Sequence, residues 1–251
     1  MTEALIEVVS SHHERAVVRF GDVFVKSDTD PARAEREAAA LRSVAAVPVP
    51  EVLWYRPGQP SLLAISAVTG RHISSDEDWG VVGAALARLH SSRVPSDDEI
   101  ARARGEAAQT PGYLREYASW FRDHEVGDLG LVERLTGEAA EFFATNVGSV
   151  AFIHGDLQPD HVFLDGGAVS GIIDWADCGY GDPVQDLAVV TVDHPEGLDA
   201  LIEGYGQRVD RHSVWAHWVL RRFGAIRWLN DYGFPIDASL AALPALDESV
   251  R

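Results

Sequence analysis

Two aspartates, Asp156 and Asp174, stand out for the residues that lead into them. The apolar run Ala151-Phe152-Ile153 predicts a short strand, and His154-Gly155-Asp156-Leu157-Gln158-Pro159 predicts a loop that presents a carboxylate. Residues 162–173 read as two more strands joined by the tight turn Gly166-Gly167, and the second runs into Asp174. The pattern places both carboxylates at the ends of adjoining strands, close enough to share one site. Such a pair suits phosphoryl transfer: one carboxylate holds the attacking hydroxyl, the other the metal that accompanies the nucleotide.

The elements that must position this pair follow from periodicity and turn signals. Strands are predicted over 4–9, 16–20 and 23–26, separated by the polar turn Ser10-Ser11-His12-His13-Glu14 and by Gly21-Asp22. Asp30-Pro31 is a helix start, and Ala34, Glu37, Ala38 and Leu41 share one face of that helix. After Pro48 and Pro50, strands over 52–55 and 62–66 complete a small α+β lobe that closes at Val68-Thr69-Gly70. Helices dominate from Ser75 onward. Trp79, Val82, Leu86 and Leu89 recur at helical spacing behind the acidic turn Asp76-Glu77-Asp78. Further helices are predicted over 113–121, 131–143, 183–192, 197–208, 212–231 and 238–246. The expected organisation is a strand-rich lobe over residues 1–70 and a helical lobe over 71–251, with a ligand cleft between them.

Composition narrows the partners. The chain of 251 residues carries 39 acidic against 21 basic residues, a formal charge of -18. Such a field repels nucleic acid and anionic lipid and favours cationic small molecules. No apolar run approaches the ~18 residues of a membrane span, and Met1-Thr2-Glu3-Ala4 lacks the pattern of a signal peptide. Cys178 is the only cysteine, which suits a reducing, cytoplasmic setting and reads as a packed thiol. A small-molecule acceptor, no nucleic acid, no membrane and a monomer or weak dimer are expected.

The segment from His154-Gly155-Asp156 to His161, with Ile172-Ile173-Asp174-Trp175, resembles the aminoglycoside and macrolide phosphotransferase group of the protein-kinase-like fold. Glu37-Ala38-Ala39-Ala40-Leu41, Leu89-His90-Ser91 and the run from Gly181-Asp182-Pro183 to Ala188 fall in that group's usual order. The resemblance implies an α+β, two-lobe kinase-like fold with a small β-rich N-lobe and a larger helical C-lobe. It implies transfer of the γ-phosphoryl of ATP or GTP, with Mg²⁺, to a hydroxyl of an antibiotic. A cationic aminoglycoside or cyclic peptide ranks ahead of a macrolide. The rival readings are a metabolic kinase for choline, an amino alcohol or a sugar amine, and a nucleotide-binding pseudokinase.

Residue roles follow from the same resemblance. Asp156 would be the catalytic carboxylate and Asp174 the Mg²⁺ ligand. His161 would make the second metal contact, where the group commonly has Asn; branches with His here often use GTP. Lys26, the only lysine of the chain, would hold phosphates and be fixed by Glu37. The main chain around Ser66 and Val68 would meet the nucleotide base. His154 would brace the loop and Asp186 a helix start near it. The turn over 10–14 contains no G-x-G-x-x-G. The acidic helical lobe offers Glu116, Asp193, Asp231 and Trp228 as candidates for the acceptor site.

Overall fold

The computed structural model describes residues 6–11 and 14–248. Ala4 and Leu5 of the predicted first strand, and His12 and His13 of the turn after it, lie outside the described residues.

The N-terminal part is an antiparallel sheet with one helix. Strands β1 (Ile6–Ser11), β2 (Arg15–Phe20) and β3 (Val23–Asp28) are followed by helix α1 (Pro31–Ser43), then β4 (Val52–Arg56) and β5 (Ser61–Ser66). Their order in the sheet is β1-β2-β3-β5-β4. Asp30 caps α1 by accepting from the N–H groups of Ala32 and Arg33, and Pro31 opens the first turn. The face that α1 buries carries Ala34, Glu37, Ala38 and Leu41, as the spacing predicts. In the β2–β3 ladder Val17 stands opposite Lys26 and Arg15 opposite Asp28. Alternation along a strand therefore places Arg15, Val17, Lys26 and Asp28 on one face.

The remainder is mainly helical. It comprises α2 (Asp76–Ser91), α3 (Asp97–Ala107), α4 (Thr110–Asp123), α5 (Leu129–Thr145), α6 (Val184–Thr191), α7 (Leu198–Tyr205), α8 (Arg211–Asp231), α9 (Asp237–Ala241) and α10 (Leu243–Glu248). Between α5 and α6 lie the short strands β6 (Ala151–Ile153), β7 (Val162–Asp165), β8 (Ala168–Ile172) and β9 (Gly179–Gly181). One apolar core joins α1, α2, β5 and the β7–β8 hairpin around the fully buried Trp175. A second holds α4, α5 and α8 together through Phe121, Leu135 and Phe223. Trp215 and Trp218 belong to this second core. Among the described residues no helix is long and apolar enough to cross a membrane.

Three expectations need correction. β6 pairs with β9, whereas β7 and β8 form a ladder of their own, so Asp156 and Asp174 do not end adjoining strands of one sheet. Gly179-Tyr180-Gly181 has little strand propensity, so its pairing with β6 is invisible locally. Helix α3 was not predicted; it buries only Ala103 and shows no apolar stripe. Its legible signal is the capping box Ser96–Glu99. The helix predicted over 238–246 is divided into α9 and α10 at Ala242.

Candidate active site

The loop after β6 is shaped by contacts from three distant segments. Gly155 has φ +89, and a Cβ there would collide with the carbonyl oxygen of Asp177, so only glycine fits. The N–H groups of His154 and Gly155 donate to Asp186 Oδ2 and Oδ1 at 2.8 and 2.9 Å. His90 Nε2 donates to the same carboxylate at 3.0 Å, and Tyr205 Oη donates to His90 Nδ1 at 2.9 Å. Burial opposes ionisation of Asp186, but His90 and these N–H groups hold its carboxyl below the usual range. Gln185 Nε2 donates to Gly155 O at 2.8 Å. His154 Nε2 donates to Ile173 O at 2.9 Å and thereby ties the loop to the residue before Asp174. Tertiary hydrogen bonds of this kind, in place of a shared ladder, bring the two aspartates to one site.

Asp156 presents one hydrogen-bonded oxygen and one buried, ion-paired oxygen. Oδ2 accepts from Gln158 Nε2 at 3.1 Å. Oδ1 is buried and has no hydrogen-bond partner among the described residues. Arg221 Nη2, from α8, lies 2.9 Å from Oδ1. The contact is an ion pair, so in this conformation Arg221 occupies the approach to Oδ1. His161 Nδ1 donates to the main-chain oxygen of Asp156 at 2.9 Å. In the neutral ring Nε2 then carries a lone pair, 3.9 Å from Asp174 Oδ2. Burial holds the His161 pKa below its ordinary value, against the pull of Asp174, and so keeps that lone pair available.

Asp174 takes the left-handed conformation, φ 64, which is uncommon for a residue with a side chain. Its Oδ1 receives Lys26 Nζ at 2.9 Å and Arg15 Nη2 at 3.0 Å. Burial works against its charge, yet Lys26 and Arg15 hold the carboxyl far below the usual carboxylate range. Lys26 in turn lies 2.5 Å from Glu37 Oε1, and its pKa is raised because Glu37 and Asp174 outweigh burial. Asp174 Oδ2 and His161 Nε2 suit a divalent ion. Their 3.9 Å separation is less than twice a metal–ligand bond of ~2.1 Å. Among the described residues no group of three or more His, Cys, Asp or Glu could hold a metal alone. An ion here would take its other ligands from phosphate and water, the usual habit of Mg²⁺.

The remaining sequence candidates are distributed unevenly. The N–H groups of Ser66 and Ala67 are used inside the lobe, by Glu51 O and Asp22 O, which leaves the main-chain N–H of Val68 for a ligand. The Ser66 hydroxyl accepts from the Glu51 N–H. A cavity of about 1400 Å³ reaches Gly155 and Gln185 and is lined by Glu116, but Asp156, Asp174, His161 and Lys26 are not among its lining residues. Its wall is mixed in charge: Glu99, Glu106, Asp182 and Asp210 stand with Arg102, Arg104 and Arg115. Asp193, Asp231 and Trp228 are not among its lining residues. Asp193 pairs with Arg222 at 2.5 Å and Asp231 with Arg227 at 3.7 Å, while Trp228 stacks on Tyr232 and Phe234. Sequence reasoning missed Arg15 and Arg221. Alternation opposite Lys26 could have suggested Arg15; nothing in the α8 sequence singles out Arg221.

A strand-rich lobe and a helical lobe, with a lysine–glutamate pair on Asp174 and the loop carboxylate Asp156 brought near through His161, define a kinase-like phosphotransferase. The sequence profile of the phosphotransferase enzyme family matches residues 6–219, and the chain belongs to that family. It is 29% identical to viomycin phosphotransferase of Streptomyces vinaceus over 241 residues, covering 88% of this chain and 79% of that protein. A choline/ethanolamine kinase family protein from Mesorhizobium loti shares the fold with a TM-score of 0.70 and 21% identity, over 97% of this chain and 88% of the other. The GDP complex of wild-type aminoglycoside 2'-phosphotransferase-IIIa superposes with a TM-score of 0.69 at 16% identity, over 98% and 92% of the two chains.

Proposed function

We propose that this protein transfers the γ-phosphoryl group of Mg-ATP or Mg-GTP to a hydroxyl of a small molecule. Residues 1–70 would serve the nucleotide and residues 71–251 the catalytic loop and acceptor. The observation that carries this reading is the joining of Lys26 to both Glu37 and Asp174, with His161 held on the Asp156 main chain beside Asp174. With Arg221 drawn aside, Asp156 accepts a hydrogen bond from the acceptor hydroxyl and aims its oxygen at the γ-phosphorus. As the new O–P bond forms and the bond to the nucleoside diphosphate breaks, the hydroxyl proton passes to Asp156. Lys26, steadied by Glu37, holds the phosphates. Asp174 and His161 would hold Mg²⁺, which when bound neutralises charge on the phosphate oxygens. The nucleotide base would meet the main chain at Val68, beside Ser66.

The acceptor we favour is a cationic antibiotic, a peptide of the viomycin type or an aminoglycoside, inactivated in the cytoplasm. The charge of -18 and the likeness to viomycin phosphotransferase support it. Phosphorylation would add about two negative charges to such a drug. A metabolic kinase for an amino alcohol or a sugar is the second reading. It is favoured by the arginines of the cavity wall and by Arg221 beside Asp156. A coupled nucleoside-diphosphate assay, with Mg-ATP and Mg-GTP in parallel against viomycin, kanamycin, a macrolide, choline and sugars, separates them. Acceptor-dependent diphosphate release is expected. Nucleotide binding with no release for any acceptor would instead make the protein a nucleotide-binding pseudokinase.

A further inference from the structure

We propose that Arg15 is a second phosphate-binding residue of the nucleotide site, substituting for the glycine-rich loop that this chain lacks. The inference rests on the phosphotransferase reading and adds a residue to it. No glycine occurs between Ile6 and Phe20, so the β1–β2 connection cannot form the glycine-lined nest of main-chain N–H groups that wraps a phosphate. The positive charge must come from a side chain instead. Arg15 is the first residue of β2, where the chain returns from that connection. The β2–β3 register sets it on the same sheet face as Lys26.

Its contacts point toward the reacting groups. Arg15 Nη2 and Lys26 Nζ converge on one oxygen, Asp174 Oδ1, at 3.0 and 2.9 Å. The anion they stabilise here is the Asp174 carboxylate, and a phosphate oxygen beside it would meet both cations. The planar guanidinium fork suits phosphate better than a point charge does.

Asp28 and Glu37 do not by themselves require Arg15. Asp28 already has a two-pronged partner in Arg33, at 2.8 and 2.9 Å, and Glu37 already has Lys26 at 2.5 Å. Arg15 stands farther from both, 3.3 Å from Asp28 and 3.6 Å from Glu37, and closest to Asp174. Its side chain is 17% exposed, so it is held in the cleft yet within reach of a ligand.

Calorimetric titration of the full chain tests this, with Mg-ATP, Mg-GTP, adenosine and guanosine as ligands. Arg15→Met is expected to weaken the better-bound triphosphate by about tenfold to a hundredfold, the range of a hydrogen bond to a charged group. The matching nucleoside should keep its affinity, and Arg15→Lys should recover part of the loss. Unchanged triphosphate affinity, or equal losses for triphosphate and nucleoside, would overturn the assignment while leaving the phosphotransferase reading intact. If Arg15→Met does not fold, the ratio of triphosphate to nucleoside affinity in Arg15→Lys decides in the same way. Wild-type protein that binds neither triphosphate would remove the nucleotide site itself.

Discussion

In the proposed reading, the donor and acceptor sides of the site are built differently. On the donor side Lys26, Glu37, Asp174 and Arg15 touch one another within a few ångströms, and His161 links the group to the Asp156 main chain. Of the acceptor candidates, Glu116 lines the cavity beside Gly155, whereas Asp193, Asp231 and Trp228 are engaged elsewhere. A donor site must hold the same triphosphate chain whichever nucleoside carries it, which suits charges that are few, buried and mutually balanced. An acceptor site is assembled from helix faces, whose chemistry can vary without disturbing that network. Family motifs therefore report the reaction far better than the acceptor.

The largest effect should come at the junction of the two sides. Asp156→Ala is expected to lower turnover by ~10²–10⁴ with nucleotide affinity nearly unchanged, as read by steady-state kinetics beside a binding titration. Near-normal turnover would sever the two halves of the comparison.

Lys26→Met probes the donor network. It leaves Glu37 buried beside one cation fewer, a change that costs about 3–5 kcal/mol of stability when a buried pair is broken. Lys26→Met with Glu37→Gln should recover much of the stability in urea unfolding but not the nucleotide affinity. Recovery of both would make the pair structural only.

The charge of Asp174 gives the same network a pH signature. Its carboxyl is held low in the folded protein, with burial opposing and Lys26 and Arg15 favouring the charge. Its contribution to stability is therefore complete above the unfolded carboxylate pKa, about 3.9, and declines as pH falls below it. Urea midpoints between neutral pH and about pH 3 should fall more steeply for wild type than for Asp174→Asn; parallel curves would refute the linkage.

Smaller effects are expected on the acceptor side. Arg221→Met removes the cation beside Asp156, a partly exposed pair worth about 0–1 kcal/mol. Acceptor-free nucleotide hydrolysis should rise by up to about fivefold as Asp156 becomes free to orient water. A fall would show that Arg221 assists the transfer. Asp231→Asn should change acceptor kinetics and stability least, within about 0.5 kcal/mol; a large rise in acceptor KM would extend the acceptor site to the end of α8.

Much of this protein was legible in its sequence. Turn residues and alternation marked all five strands of the first sheet, and the Gly166-Gly167 hairpin appeared where the two glycines, both at positive φ, allow it. These features depend on neighbours within a few residues, and so do the loop of Asp156 and the cap of α1. The motif segments around His90, His154 and Asp186 were recognised singly, but only folding shows that they close on one buried carboxylate. Pairing of β6 with β9, the approach of Arg15 to Asp174, and the rotation of α8 that brings Arg221 to Asp156 were decided by tertiary structure. Each depends on register or helix orientation between distant segments, which packing of the two cores sets and no local pattern encodes. For the same reason the chain's own residues point to phosphoryl transfer, while the acceptor is a matter of which side chains the packed helices turn toward the cavity.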